Sequence, residues 1–407
     1  VYVYASAEED EPNAAIFSKG NLTLYGNGTL IVNGNYNDGI NSKDGLVIAS
    51  GNITVNAIDD GIRGKDYLVI ESGTITVFAG GDGFKSDNEE DAGTGYLSIA
   101  NGVIAITAAG DAIAAQTNVL VTDGEFTLVS GGGSTRTIAA DASAKGIKAG
   151  ITLQIDGGTF IIDSADDGLH SNTSIVINDG TVTMATGDDG IHADAAVTVN
   201  GGDINIIDSY EGVESAVITL NAGSIHLISS DDGVNVSSGD GGSVMGGGRP
   251  GQPGMVTSTD YYLYINGGYL YVDAAGDGLD ANGAIEMTGG VVVVNGPTEQ
   301  MNGALDYDAW FTMTGGWLVA AGSSGMVQAP DTSSTQSSLM ITFASTQSAG
   351  TLVHIQGADG SDILTFAPTK AFQSVTLSSP ELTQGSTYDV YLGGSSTGTA
   401  TDGVYAD

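Results

Sequence analysis

Apolar and polar residues alternate in short runs along most of this chain, and the runs return at a fixed spacing of 22 residues. Leu46, Ile48, Gly51, Ile53 and Val55 lead to the step Asp60-Gly61; Leu68, Ile70, Gly73, Ile75 and Val77 lead to Asp82-Gly83 at the same offsets. The register repeats from Leu97 to Asp111, Leu153 to Asp167, Ile175 to Asp189, Val197 to Glu211, Ile218 to Asp232 and Leu263 to Asp277. Two residues after each acidic position stands one more apolar side chain, such as Ile62, Phe84, Ile113, Leu169 or Leu279. Period-two alternation punctuated by glycine reads as strand, and no stretch offers the 3.6-residue spacing of a helix. So short a unit cannot bury its inward face alone, and stacking on its neighbours solves that. The pattern predicts an all-β chain, a right-handed parallel β-helix (solenoid) with 22-residue coils, each rising about 4.8 Å. Glycine after each acid is expected to supply a positive φ at the corner.

Three segments break the period: NEEDAGTG at 88–95, GGGSTRTIAADASA at 131–144, and 237–260, which holds the low-complexity run GDGGSVMGGGRPGQPG. Beyond residue 329 the apolar runs at 339–343, 352–355, 363–366, 375–377 and 388–392 read instead as antiparallel strands. The expected organisation is a parallel β-helix over 1–328 and a small C-terminal β module over 329–407 that caps the open coil, since a bare coil end is an unpaired sheet edge.

Composition narrows the function. Forty-nine acids against 10 bases give a formal charge of −39, which excludes a partner held by phosphate neutralisation, nucleic acid foremost, and attracts cations. There is no Cys, and no run approaches the roughly 18–20 apolar residues of a membrane span. The chain opens on a strand-like run at 1–4 without Met or a signal segment. It therefore reads as a processed or truncated secreted chain, extracellular or at the cell surface.

Several corners carry doubled acids. Carboxylates one coil apart repel by roughly 3–4 kcal/mol at an effective dielectric near 20. They must be neutralised, be protonated or splay into water, and Ca²⁺ held by several oxygens is the natural neutraliser. Its candidate ligands are Asp38, Asp59, Asp60, Asp82, Asp166, Asp167, Asp188, Asp189, Glu211, Asp231, Asp232, Asp277 and Asp280. A second column stands three residues after each corner: Asn41, Arg63, Lys85, Ala114, Lys148, His170, His192, Glu214, Asn235 and Asp280. It reads first as internal charge compensation. Alternatives are a catalytic base (Arg63, Lys85 or Lys148) and a transition metal shared by His170 and His192 with Asp167 and Asp189. By the in/out register Tyr262, Tyr264, Tyr269, Tyr271, Trp310 and Trp317 face outward. They form either an apolar strip for stacking on sugar rings or the seat of the C-terminal module.

The strings EPNAAIFS at 11–18, VNGNYND at 32–38, DDGIRGK at 59–65, GDGFKSD at 81–87, SYEG at 209–212, GALDYD at 303–308 and AGSSGMVQAP at 321–330 resemble the secreted carbohydrate-binding parallel β-helix family, whose fold is similar to that of pectate lyases. The resemblance covers essentially the whole chain. It implies calcium-containing, non-catalytic binders of cell-surface polysaccharide, with acidic pectic glycans and cellulose as ligands, and supports Ca²⁺ at the Asp-Asp-Gly corners. Two other readings stand beside it. One is a self-associating subunit of a surface fibre, suggested by the uncapped start and an extended tail at 397–407; the other is a pectate-lyase-like lyase.

Overall fold

The computed structural model of the chain describes residues 12–237 and 260–406. Every regular element among them is a strand, and the strands form a parallel β-solenoid of about 13 turns and a small antiparallel sheet. The run at 1–4 and most of the Gly-rich break, residues 238–259, lie outside the described residues. The chain divides into two compact units, Val1–Tyr210 and Glu211–Asp407. No described helix is long and apolar enough to cross a membrane.

In the first unit a coil has three strands, for example Gly45–Ile48, Asn52–Ala57 and Ile62–Gly64, followed one coil on by Tyr67–Ile70, Thr74–Ala79 and Phe84–Ser86. The lone apolar point after each acidic step is thus the first residue of a three-residue strand, with the second-column residue at its centre. Like strands pair in parallel with like positions aligned: Leu46 with Leu68, Ile53 with Ile75, Ile62 with Phe84. The breaks at 88–95 and 131–144 fall between strands and leave the register intact, since Phe84 still aligns with Ile113 and Ile113 with Ile147. The second unit repeats the plan: Leu263, Ile285 and Phe311 align, as do Leu270, Val292 and Leu318.

Inward side chains are fully enclosed; Ile62, Leu68, Ile70, Ile75 and Phe84 have no exposed surface. Each such burial is worth about 1.5–3 kcal/mol. In the core Phe126 and Phe160 stack one coil apart, ring centroids 4.5 Å and planes 5° apart.

The corner glycines correct the sequence reading. Gly39, Gly61 and Gly83 do not have positive φ; that conformation belongs to the turn between the first and second strands, at Gly51, Gly73 and Gly102. The corner needs glycine because its Cβ direction points into the stack. A Cβ on Gly61 would meet Val77 Cγ1 at 2.3 Å and the carbonyl oxygen of Gly83 at 2.6 Å.

After the last parallel strand of the second unit, Trp317–Gly322, the direction reverses. Phe372–Ser378 pairs antiparallel with it, and Ser338–Gln347 pairs antiparallel with Phe372–Ser378, covering the open edge. Val353–Gly357, Asp362–Phe366, Tyr388–Leu392, Thr399–Thr401 and Val404–Ala406 form a separate five-stranded sheet. The tail expected to be extended is folded back. Thr399–Thr401 and Val404–Ala406 make a hairpin, and Val404 pairs with Phe366. That removes one of the two motives for a fibre.

Alanine at Gly61 is expected to cost about 1–3 kcal/mol through the clash inside the stack. Alanine at exposed Gly28, where nothing lies within 4 Å of the added Cβ, is expected to cost less than about 0.5 kcal/mol. Urea unfolding of the two variants measures the contrast, and equal stabilities would refute the steric account.

Candidate functional site

The acidic steps sit where the second strand of a coil turns into the third, and each corner carboxylate divides its two oxygens. Oδ1 accepts the backbone N–H of the equivalent residue one coil on: Asp82 donates to Asp60 at 3.0 Å, Asp111 to Asp82 at 2.9 Å, Lys145 to Asp111 at 2.8 Å, Asp189 to Asp167 at 3.1 Å and Asp277 to Asp232 at 2.6 Å. Gly303 N–H donates likewise to Asp277. One oxygen therefore keys coil to coil. The other is left for whatever stands in the neighbouring column.

In the first unit that column carries amides and cations. Asp38 accepts from the amides of Asn41 at 2.6 Å, Asn37 at 3.0 Å and Asn13 at 3.1 Å. Lys85 Nζ lies 3.1 Å from Asp60 Oδ2 and 2.8 Å from Asp82 Oδ2. Burial pushes the Asp60 carboxyl up to about 6 even against Lys85. It works against the Lys85 charge too, but Asp82 and Asp60 more than offset it and hold the ammonium above its usual range. Arg63 forks onto Asp87 at 2.7 and 3.0 Å, and Lys148 Nζ is 3.7 Å from Asp111. Lys145, at a corner position itself, reaches Asp166 at 2.8 Å and Asp167 at 2.7 Å. His170 Nδ1 is 2.8 Å from Asp167 Oδ2, and His192 Nδ1 is 3.1 Å from Asp189 Oδ2. Burial alone would raise Asp167, but the His170 hydrogen bond and Lys145 hold it well below the carboxylate range. Of the doubled acids, Asp59 and Asp188 are exposed to water, which is the splayed outcome.

The second unit has a different column: Glu214, Asn235, Asp280 and Asp306, with Asn235 aligned to Asp280 and Asp280 to Asp306. Among the described residues no ammonium, guanidinium or imidazole pairs with Asp232, Asp277, Asp280 or Asp306. Carboxylate oxygens of Asp232, Asp277 and Asp280 lie within 4.8 Å of one another. Burial pushes Asp232 up to about 6 and Asp277 up to about 7, and drives Asp280 well above the usual range, with the neighbouring acids adding to each shift. Asn235, 8% exposed, gives both bonds of its Nδ2 to Glu211, at 2.8 and 2.9 Å, and its buried Oδ1 has no partner. A buried acceptor without a donor costs on the order of 1–3 kcal/mol. Asp232, Asp277 and Asp280 are a group of mutually repelling carboxylates that could hold a hard cation, and Asn235 aligns with Asp280 one coil away. Asn235 and Asp306 were missing from the sequence-derived ligands, although the offset of three from the corner also marks them.

The six aromatics do not share a face. Tyr262, Tyr264 and Trp310 lie on the first-strand ladder, half-exposed. The rings of Tyr262 and Tyr264 are nearly parallel, 7° and 5.2 Å apart, and Trp310 meets Tyr262 edge-on at 6.3 Å. Glu286 aligns with Tyr264 on the next coil. Tyr269, Tyr271 and Trp317 lie on the second-strand ladder, packed against the antiparallel strands' core of Val353, Phe366, Phe372 and Leu377. The Tyr269 hydroxyl donates to Asp402 at 2.6 Å. The strip is thus two patches, one open and one covered by the C-terminal strands.

In the first unit the segment at 131–144 lines an open recess of about 370 Å³ together with Asp166 and Asp188, with Ser134, Arg136 and Ile138 among its walls.

Residues 2–190 of the chain match a family model described as carbohydrate-binding domain-containing protein. The match ends inside the first unit; it takes in Lys85, Lys145, Lys148, His170 and the 131–144 segment, and not His192, Tyr262 or Asp280. A carbohydrate-binding domain-containing protein of Acetivibrio thermocellus is 45% identical over 56 residues, 14% of this chain and 20% of that protein. The chain thus matches only a fifth of that relative's length. No solved structure matches the chain. Both the family model and this relative carry the description carbohydrate-binding domain-containing protein.

Proposed function

We propose that the protein is an extracellular, non-catalytic polysaccharide-binding protein that holds Ca²⁺ on the carboxylate column of its second unit and takes acidic pectic glycans or cellulose as ligands. The observation that carries the carbohydrate reading is the similarity of residues 2–190 to a carbohydrate-binding family. The open patch of Tyr262, Tyr264 and Trp310 beside Glu286 adds a surface of the kind that stacks on sugar faces while a carboxylate accepts hydroxyl hydrogens.

Calcium is supported by the donor set rather than by the acids alone. Asp232, Asp277 and Asp280 would hold it, with Asn235 Oδ1 supplying the neutral oxygen that otherwise has no partner. The lysine-filled corners of the first unit are poorer candidates, because an ammonium already neutralises Asp60, Asp82, Asp166 and Asp167. Bound Ca²⁺ would also serve the ligand. A chain of formal charge −39 attracts an acidic glycan only through cations that bridge carboxylate to carboxylate. The non-catalytic reading is supported by the candidate bases: Arg63 and Lys85 face carboxylates that favour the charged form, and Lys148 lies 3.7 Å from Asp111.

Two measurements test this reading. Asp232 and Asp277 are raised by burial, so the folded chain holds more protons than the unfolded chain between about pH 4 and pH 7, and stability falls as pH rises through that window. In chelator the melting temperature should therefore drop from pH 4.5 to 7.5. Calcium at a hundredfold excess over its Kd should restore about 2.7 kcal/mol at pH 7.5, and Asp280→Asn should flatten both effects. A melting curve at pH 7.5 indifferent to calcium would sink the metal assignment. For the ligand, full-length protein is mixed with insoluble cellulose and with immobilised polygalacturonate, with calcium or with chelator. Retention on polygalacturonate should require calcium, and Trp310→Ala should weaken retention on cellulose about fivefold, the equivalent of about 1 kcal/mol of stacking. Absence of retention on every glycan under both conditions would end the carbohydrate reading.

A further inference from the structure

The two histidines of the second column are left over by this account. His170 and His192 are aligned on adjacent coils, each flanked by fully buried inward residues, Leu169 and Ile191. That anchoring sets the two rings side by side, centroids 5.1 Å apart and tilted by 56°. His170 Nδ1 is 2.8 Å from Asp167 Oδ2; His192 Nδ1 is 3.1 Å from Asp189 Oδ2 and 4.0 Å from that same Asp167 oxygen, so both Nδ1 atoms stand within 4.0 Å of one carboxylate oxygen. The oxygen is held in place, because Asp167 is 2% exposed and its Oδ1 is engaged by the Asp189 backbone.

The outer nitrogens also face acceptors. His170 Nε2 is 2.9 Å from Asn172 Oδ1, and His192 Nε2 is 3.6 Å from Asp194 Oδ1. Each imidazole thus has an oxygen at both nitrogens. Two arrangements satisfy that: a doubly protonated ring, or a neutral ring with its proton at Nε2 and a cation at Nδ1. In the second, Asn172 and Asp194 are the outer partners that fix the tautomer of a metal-bound histidine.

We propose that Asp167 Oδ2, His170 Nδ1 and His192 Nδ1 form a binding site for a borderline divalent transition ion of the Zn²⁺ class. The three ligand atoms lie within 4.8 Å of one another. Bonds of about 2.0–2.1 Å in tetrahedral geometry set ligand atoms about 3.3 Å apart, a value bracketed by the observed 2.8 and 4.0 Å. Imidazole nitrogen selects this class over Ca²⁺, whose shell is oxygen. Three protein ligands leave a position for water or for a donor from a bound molecule. Lys145 lies 2.7 Å from the same Asp167 oxygen and 2.8 Å from Asp166 Oδ1. An arriving ion takes its place on Asp167 while Asp166 retains it, so the lysine weakens the site without blocking it. The site lies in the first unit and does not depend on calcium or on glycan binding.

The test uses tag-free full-length protein titrated with Co²⁺ in excess Ca²⁺, which occupies all-oxygen sites. Wild type should develop the visible ligand-field bands of a nitrogen-ligated low-symmetry ion, saturating at one per chain, and Zn²⁺ should bleach them. His170→Asn and His192→Asn should each weaken binding at least tenfold, and Lys145→Met should tighten it several-fold. Asparagine already occupies this column at Asn41, so the fold tolerates it there, and a melting curve in chelator checks each variant. Absence of the bands from the wild-type protein, or their survival in the double histidine variant, overturns the proposal.

Discussion

Stacked corner carboxylates are the constraint on which the rest of this structure turns. A parallel solenoid repeats every corner at the inter-strand spacing, so an acid that suits one coil is brought within about 5 Å of its copies above and below. At that distance the repulsion, roughly 3–4 kcal/mol per neighbouring pair at an effective dielectric near 20, rivals the burial of a core side chain. The acids are nonetheless useful to the fold, because Oδ1 of each receives the backbone N–H of the next corner. Removing the acid would leave that amide without its acceptor. The chain keeps the hydrogen bond and must deal with the charge.

The two units deal with it differently. In Val1–Tyr210 the neighbouring column supplies Arg63, Lys85, Lys148, His170 and His192, and Lys145 stands at a corner. Four of the chain's 10 lysines and arginines are thereby near corner acids or their neighbours. In Glu211–Asp407 the same column supplies Glu214, Asn235, Asp280 and Asp306, which adds to the charge rather than cancelling it. There the carboxyls are pushed toward neutrality, and the orphaned Asn235 oxygen points to the kind of group that would complete the site. An internal ammonium is permanent; a soluble cation can come and go.

The 22-residue register made the inward face legible position by position, because the apolar offsets are local and the stack repeats them. It also made the acidic column legible. What it could not carry was three-dimensional neighbourhood. Gly61 looks like a turn glycine in sequence, yet its need arises from Val77 and Gly83 one coil away. Tyr262 and Tyr269 both read as outward, yet only the latter's ladder is covered, by strands more than 80 residues further along the chain. The folded tail does not show in the sequence because Thr399–Thr401 and Val404–Ala406 are too short for a strand pattern, and their order comes from pairing with each other and of Val404 with Phe366. Asn235 carried a signal, its offset of three from the corner, but an amide among carboxylates gains meaning only once its partners are counted.

The solenoid also explains why chemistry can change so freely along one column. The residue beside each corner lies between two inward residues that carry the core, as Arg63 lies between Ile62 and Gly64 and His170 between Leu169 and Ser171. Its side chain points away from the stack, so arginine, lysine, alanine, histidine, glutamate, asparagine and aspartate all occupy equivalent places without disturbing the register. Neighbours in that column are always one strand spacing apart. Any two compatible side chains placed there consecutively therefore converge without further design: two imidazoles at His170 and His192, two carboxylates at Asp280 and Asp306. A fold that brings like positions together in every coil turns a pair of substitutions into a binding site, and it does so at no cost to the core.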